Sequence, residues 1–127
     1  MKNMKRLPDA EFEIMRVVWE NKPPITTSMI MEQLGDKREW KAPTVLTLMR
    51  RLVERGFLQT EKKGKERTYF PLVERENYLE AETQSFMKQY HENSFLSFVN
   101  TFYNTKQPSE EEIEELLIWA KERGDQR

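Results

Sequence analysis

The chain has 127 residues, of which 34% are charged and 11% are aromatic, and its mean hydropathy is −0.87. So many aromatic residues exclude a disordered chain, and the length allows one domain, or one small domain with an oligomerisation segment. The sequence has no cysteine and one histidine, His91, which excludes disulfides, thiolate metal sites and sites built on a histidine pair. We therefore expect no metal and no cofactor, and we interpret His91 as an ordinary surface or interface residue.

The net charge of −1 conceals opposite charges on two parts of the chain. Residues 1–73 contain 15 Lys or Arg and 10 Asp or Glu, a net charge of +5, whereas residues 74–127 contain 6 and 12, a net charge of −6. A polyanion is attracted to the first part and repelled by the second. No run approaches the ~18 apolar residues of a membrane span, and the first residues lead into no apolar signal core. We expect a cytoplasmic protein without stable membrane association.

Two helices are predicted at the start of the chain. The first has an acidic first turn and a broad apolar face, and Pro23-Pro24 end it because a proline pair cannot continue the backbone hydrogen bonds. The second begins at Ile25-Thr26, with Thr26 or Thr27 as its cap, and ends at Gly35. Residues 36–39 form a charged turn before the next element.

Residues 40–52 predict a third helix with one packing face and one free face. Pro43 suits its first turn, and Gly56 suits the position just beyond its end. At 100° per residue, the apolar face contains Val45, Leu48, Met49 and Leu52, and the free face contains Thr44, Thr47, Arg50 and Arg51. Trp40 either folds back onto the core or contacts a sugar–phosphate backbone.

A basic hairpin follows, with strand-like runs at 57–61 and 65–70 around the turn Lys62-Lys63-Gly64. Two Thr and two Arg on a helix are, taken alone, more often a solvated surface. The order of helix, turn, second helix and basic hairpin instead favours a winged helix-turn-helix that binds DNA. We predict base contacts in the major groove from Thr44, Thr47, Arg50 and Arg51, and phosphate contacts from Thr26, Lys41, Lys62, Lys63, Lys65 and Arg67.

Three amphipathic helices are predicted after residue 73, the last with a capping box at Ser109 and Glu112 and with Gly124 beyond its end. Aromatic residues at helical spacing are more often core or interface than a ligand pocket, and some fifty residues cannot bury so many rings alone. We therefore expect a homodimer whose interface contains Leu79, Phe86, Tyr90, Phe95, Phe98, Val99, Phe102, Ile113, Leu116 and Leu117. The prediction is a mainly α protein with a small β-wing, in which residues 1–73 form a winged helix-turn-helix DNA-binding domain and residues 74–127 a helical dimerisation domain.

Five segments together resemble the BlaI/MecI family of bacterial repressors in their order and spacing. They are LPDAEFEIM at 7–15 with Val18-Trp19, residues 40–52, Gly56-Phe57-Leu58, KGKERTYFP at 63–71 and IEEL at 113–116. The resemblance implies a dimeric winged-helix repressor that binds palindromic operators in double-stranded DNA, often upstream of β-lactamase or penicillin-binding-protein genes. It also implies inactivation by a sensor-linked protease that cuts the C-terminal half. Copper-responsive relatives carry a Cys-x-Cys pair, so the absence of cysteine excludes that branch.

The chain departs from the family pattern at three places. Lys41 stands where relatives usually have a small polar cap. Leu46 stands at a site that is often polar; because it can meet thymine methyl groups, we expect a different preferred operator. In the family the cut falls at an Asn–Phe bond, which counts to Thr101-Phe102 here, whereas the asparagine is Asn100. The alternative is a repressor that another signal controls.

Three other classes of protein remain as alternatives. A winged helix can be a protein–protein interaction module or a non-specific architectural DNA-binding protein. An enzyme is the weakest of the three, because no nucleophile, metal cluster or phosphate loop is visible in the sequence.

Overall fold

The computed structural model describes residues 5–125, which form two compact units divided between Glu82 and Thr83. The first unit contains α1 (Asp9–Glu20), β1 (Ile25–Thr26), α2 (Thr27–Ile30), α3 (Asp36–Arg38), α4 (Ala42–Glu54), β2 (Leu58–Lys63), β3 (Glu66–Pro71) and the start of α5 (Arg75–His91). The second contains the rest of α5, α6 (Phe95–Thr105) and α7 (Glu110–Asp125). The predicted class, mainly α with a small antiparallel β-wing, is confirmed. Within residues 5–125, no helix is both long and apolar enough to span a membrane.

The core of the first unit lies where α1 and α4 meet the sheet. Tyr78 belongs to this core although it lies beyond residue 73, where the sequence placed the domain boundary. Its side chain is 3% exposed, its ring packs against Phe12, Trp19 and Phe57, and its hydroxyl accepts a hydrogen bond of 2.8 Å from the Leu7 amide. The first unit therefore includes the opening turns of α5.

The second predicted helix differs at both ends. Ile25 and Thr26 form β1, which pairs with β3, so the helix begins only at Thr27. The Thr26 hydroxyl caps it by accepting from the Met29 amide at 3.2 Å. Gly35 does not end it. Gly35 has helical dihedral angles and ends a π-helical turn (Met31–Gly35) that leads directly into α3, and the left-handed residue that terminates the run is Glu39 (φ 57°). Residues 36–38 are therefore helical, where the sequence predicted a turn.

The wing is a longer hairpin with a shorter turn than predicted. Its strands pair from Leu58↔Pro71 to Lys63↔Glu66, which leaves only Gly64 and Lys65 at the tip. Gly64 has φ 63°, the positive value that such a tight turn requires. Lys62 and Lys63 consequently belong to β2 instead of the turn.

Side-chain caps define the helices of the second unit. The Ser94 hydroxyl accepts from the Ser97 amide at 3.0 Å, and the predicted capping box is present. In that box the Ser109 amide donates to Glu112 at 2.9 Å and the Glu112 amide donates to Ser109 at 3.1 Å. These bonds from Ser109 hold the pKa of Glu112 below its ordinary value. Gly124 lies inside α7, which runs to Asp125, so the predicted stop at this glycine is wrong.

His91 was predicted to be a surface or interface residue, and its burial rules out the first of these. It is 8% exposed, its Nδ1 lies 2.9 Å from the Ser97 hydroxyl, and its ring contacts those of Phe86 and Phe98. It therefore joins the end of α5 to the start of α6, because Ser97 lies in the first turn of α6.

Candidate nucleic-acid interface

Helix α4 divides into the two faces that the sequence predicted. Val45, Met49 and Leu52 are fully buried and Leu48 is 7% exposed, so this face holds α4 in the core. Pro43 lies in the first turn, and Gly56 has φ 83° just after the helix. The proline and glycine signals are therefore confirmed, but the helix runs over Ala42–Glu54, two residues later at each end than the predicted 40–52. Its opposite face is exposed.

The outward face of α4 contains the four residues predicted to contact bases. Thr44, Arg50 and Arg51 are exposed, whereas Thr47 is half-buried. The Thr47 hydroxyl donates to the Pro43 carbonyl at 3.0 Å and accepts a long contact of 3.5 Å from Arg50 Nη2. Since Thr47 donates within its own helix, its free hydrogen-bonding capacity is that of an acceptor, whereas the Arg50 guanidinium offers donors only.

The strand register places the cations of the wing on different faces. Lys62 lies directly opposite Arg67, two residues along from the pair Thr60↔Tyr69, so these four residues share one face. Tyr69 is buried, which identifies this face as the one toward the core and α4. Lys63 is one residue out of phase with Lys62 and therefore lies on the other face.

A cleft runs between α4 and the wing. One part, of about 350 Å³, is lined by Leu46, Arg50, Val53, Thr60, Arg67 and Tyr69. The adjoining part, also about 350 Å³, is lined by Thr27, Ser28, Leu46, Lys62, Lys65, Glu66 and Arg67. Leu46 and Arg67 line both parts. The sequence did not single out Thr27 and Ser28 for this site, because only the pairing of β1 with β3 brings the start of α2 to the wing.

The cations of the cleft have no acidic partner in the described part of the chain. The ion pairs of the first unit are Arg6–Glu82, Arg38–Glu13 and Arg55–Glu11, none of which involves the residues predicted to contact DNA. Like charges directly opposite on a sheet, as at Lys62 and Arg67, destabilise it. A bound polyanion relieves that repulsion, which makes the arrangement suited to phosphates.

Of two other predicted phosphate contacts, Thr26 has a role within the fold and Lys41 is exposed. The Thr26 hydroxyl caps α2, as described above, so it is already engaged with the Met29 amide. Lys41 precedes α4 without a side-chain cap, and its side chain is exposed at the start of the outward face. Of the two placements predicted for Trp40, the structure shows the one in which its side chain packs against the core. The Arg38 guanidinium carbon lies 5.5 Å from the centroid of the Trp40 ring.

A buried carboxylate, which no pattern in the sequence indicated, holds the end of α4. Glu11 is 2% exposed and accepts a hydrogen bond of 2.7 Å from Arg55 Nε. Arg55 directly follows the last residue of α4. This charge-assisted bond ties α1 to the end of the helix whose outer face carries Arg50 and Arg51.

The second unit presents an extensive apolar surface. Every residue of α6 and α7 is described, and none is buried. The residues predicted at the dimer interface are exposed or half-buried: Leu79 in the first unit, and Phe86, Tyr90, Phe95, Phe98, Val99, Phe102, Ile113, Leu116 and Leu117 in the second. Leu96, Ile118 and Trp119, which the sequence did not indicate, are exposed as well. A groove of about 490 Å³ between α6 and α7 includes Phe98, Phe102 and Leu116.

Known proteins resemble the chain over almost its whole length. The family model described as "Penicillinase repressor" matches residues 7–121. The penicillinase repressor of Bacillus licheniformis is 32% identical over 116 residues, which cover 91% of this chain and 90% of that protein. The methicillin resistance regulatory protein MecI of Mammaliicoccus sciuri is 31% identical over 110 residues, covering 87% and 89% of the two chains.

Two solved structures match the first part of the fold. The DNA-binding domain of the repressor BlaI has a TM-score of 0.53 and 31% identity, covering 61% of this chain and 94% of that one. The Bacillus licheniformis BlaI monomeric form in complex with the blaP half-operator has a TM-score of 0.51 and 29% identity, covering 60% and 92%. The family model, the two relatives and the two solved structures all agree with the fold of α4 and the wing. The chain therefore belongs to the penicillinase repressor family, the BlaI/MecI family of DNA-binding transcriptional repressors, which are not enzymes.

Proposed function

We propose that this repressor binds a palindromic operator in double-stranded DNA that controls β-lactam resistance genes. The observation that carries the proposal is the cleft in which Lys62 and Arg67 of the wing face the outer side of α4. A helix in the major groove needs flanking cations on the adjacent phosphates, and these two residues lie where such phosphates would pass. Thr44, Thr47, Arg50 and Arg51 then meet base edges, and Lys41 and Lys65 add positive charge around them. Lys63, expected from the sequence to hold a phosphate, lies on the other face of the wing and is left out of the proposed contacts.

The named relatives support the kind of gene and the kind of site. Their names link them to penicillinase and methicillin resistance, and the BlaI complex contains a monomeric form on a half-operator. One copy of this chain accordingly reads one half of the operator. Two copies related by a two-fold axis read both halves, since a palindrome has the symmetry of the dimer.

The proposal is tested by footprinting the protein on the DNA upstream of the protein's own coding sequence, at several salt concentrations. We expect a protected palindrome whose affinity falls steeply with salt. Coating of the DNA without a footprint would instead identify a non-specific architectural protein. Failure to retain any DNA would identify a protein–protein interaction module and refute the proposal.

We propose that α5, α6 and α7 assemble the dimer through the apolar surface of the second unit. Phe102 is 52% exposed and Leu117 is 64% exposed, and side chains of this size are rarely left in water along two successive helices. An interface between copies removes this surface from solvent, and residues 74–127 thereby serve as the dimerisation region. Sedimentation equilibrium at micromolar concentration should give twice the mass of 15.4 kDa, and a monomer would contradict the proposal.

We propose that repression ends when a sensor-linked protease cuts α6 near Thr101-Phe102. Asn100, Thr101 and Phe102 lie inside α6 and are exposed. Because α6 contains no buried residue within one copy, only the proposed contacts between copies oppose the local unfolding that a protease requires. Mass spectrometry of the protein from β-lactam-treated cells should show a fragment ending at Asn100 or Thr101. An intact chain under derepressing conditions would point to another controlling signal.

A further inference from the structure

Leu46 is the one large apolar side chain that α4 exposes. Its side chain is 46% exposed, whereas the apolar residues on the opposite face of α4 are buried. A single exposed leucine is ordinary on a protein surface. The position of this one is not ordinary, because it lines both parts of the cleft between α4 and the wing. The core does not explain a leucine at this site.

The surroundings of Leu46 are those of a residue that reaches DNA bases. It lies in the second turn of α4, and the N-terminal part of a recognition helix is the part that meets base edges. Arg50 follows four residues later on the same side of the helix, and Lys62 and Arg67 lie across the cleft. Phosphates held by these cations would bring a major groove against Leu46.

We propose that Leu46 is a specificity-determining residue that recognises a thymine through its C5-methyl group. The four bases present hydrogen-bonding atoms in the major groove, and the thymine methyl is the only apolar group among them. An aliphatic side chain therefore favours thymine over the other bases at the position it faces. This inference rests on the proposed DNA binding and adds the identity of one base that it reads.

Deoxyuridine substitution tests the contact, because it removes the thymine methyl and leaves the hydrogen-bonding atoms in place. Duplexes are first selected from a random-sequence pool by the full chain. Each thymine of the selected sequence is then replaced singly by deoxyuridine. We expect one position in a half-site where the wild-type protein loses about four-fold in affinity, the value for burying one methyl-sized group. Leu46→Ala should bind the thymine and deoxyuridine duplexes equally at that position.

Leu72→Ala is the matched control, because Leu72 is a 54% exposed leucine outside the cleft, and this variant should keep the methyl sensitivity. Alanine favours helix, so Leu46→Ala should retain the wild-type unfolding temperature. A uniform loss of affinity with unchanged methyl sensitivity would assign Leu46 to deoxyribose and overturn the proposal. Wild-type binding that no thymine methyl affects would overturn it too. A chain that selects no sequence at all would refute the proposed DNA recognition itself.

Discussion

The register of the wing predicts that neighbouring lysines contribute unequally to DNA binding. Lys62 lies on the face toward α4, directly opposite Arg67, whereas Lys63 lies on the other face. Lys62→Ala should therefore remove one phosphate contact for each bound copy, and Lys63→Ala should remove none. The two substitutions are a matched pair, because both take one positive charge from adjacent exposed positions of the same strand.

The size of the effect follows from counterion release. Each phosphate contact contributes about 0.9 to the slope of log affinity against log salt, so a dimer carrying Lys62→Ala should lose about 1.8. Between 50 and 200 mM salt, a four-fold change, the affinity of the variant should therefore fall about twelve-fold less than that of the wild type. Fluorescence anisotropy with a labelled operator duplex measures the slope. Arg67→Ala should reproduce it.

The stability of the same variants separates binding from folding. Because Lys62 and Arg67 are like charges facing each other, removal of either should leave the unfolding temperature unchanged or slightly higher. Equal slopes for Lys62→Ala and Lys63→Ala would show that both faces of the wing contact phosphates, and the assignment of the wing face would be wrong.

Other substitutions test the remaining parts of the fold. Arg55→Ala should lower the free energy of unfolding by ~2 kcal/mol in chemical denaturation, because it leaves the buried Glu11 carboxylate without its hydrogen-bond partner; a change below ~0.5 kcal/mol would contradict this. Phe102→Glu should weaken the proposed dimer by at least about 30-fold in sedimentation, because burying a charge at the interface costs ~2 kcal/mol or more. Asn104→Glu is the control: it lies on the opposite side of α6 and should leave the dimer unchanged. Burial raises the pKa of the Tyr78 phenol above its ordinary value of about 10, because burial disfavours the charged phenolate. The stability that the neutral phenol contributes is therefore fully present below about pH 10 and is lost as the pH rises through the raised pKa. Tyr78→Phe should flatten that alkaline decline in thermal unfolding.

Periodicity revealed the faces of α4 because burial there follows the helical repeat closely. Val45, Met49 and Leu52 are buried, and Arg50 and Arg51 are exposed, as an angle of 100° per residue requires. Proline and glycine have strong positional preferences, so the two ends of the helix were also predictable. The exposed face of α4 could thus be located from the sequence.

Partners distant in sequence decided the features that the sequence did not reveal. An acidic residue in the first turn of α1 indicates a favourable helix dipole, and nothing nearby shows that Glu11 is buried against Arg55, 44 residues later. The strand β1 has two residues, too few for an alternating pattern, and exists because Ile25 pairs with Tyr69. A small error in the position of the wing turn concealed that Lys62 and Lys63 lie on opposite faces.

In the proposed mechanism, the distribution of buried residues allows dimer assembly and base recognition to be regulated separately. The buried hydrophobic residues that the structure describes lie between Leu7 and Tyr78, and α6 and α7 contribute none. A cut in α6 therefore leaves the core beneath α4 intact. In the proposed mechanism, each released copy keeps its own half-site contacts but loses the gain from bivalency, which is about 10²- to 10⁴-fold. Because one copy contributes half of the phosphate contacts, the salt slope of the cut protein should be about half that of the dimer. A slope that remained at the dimer value would mean that α6 does not hold the two copies together on the operator.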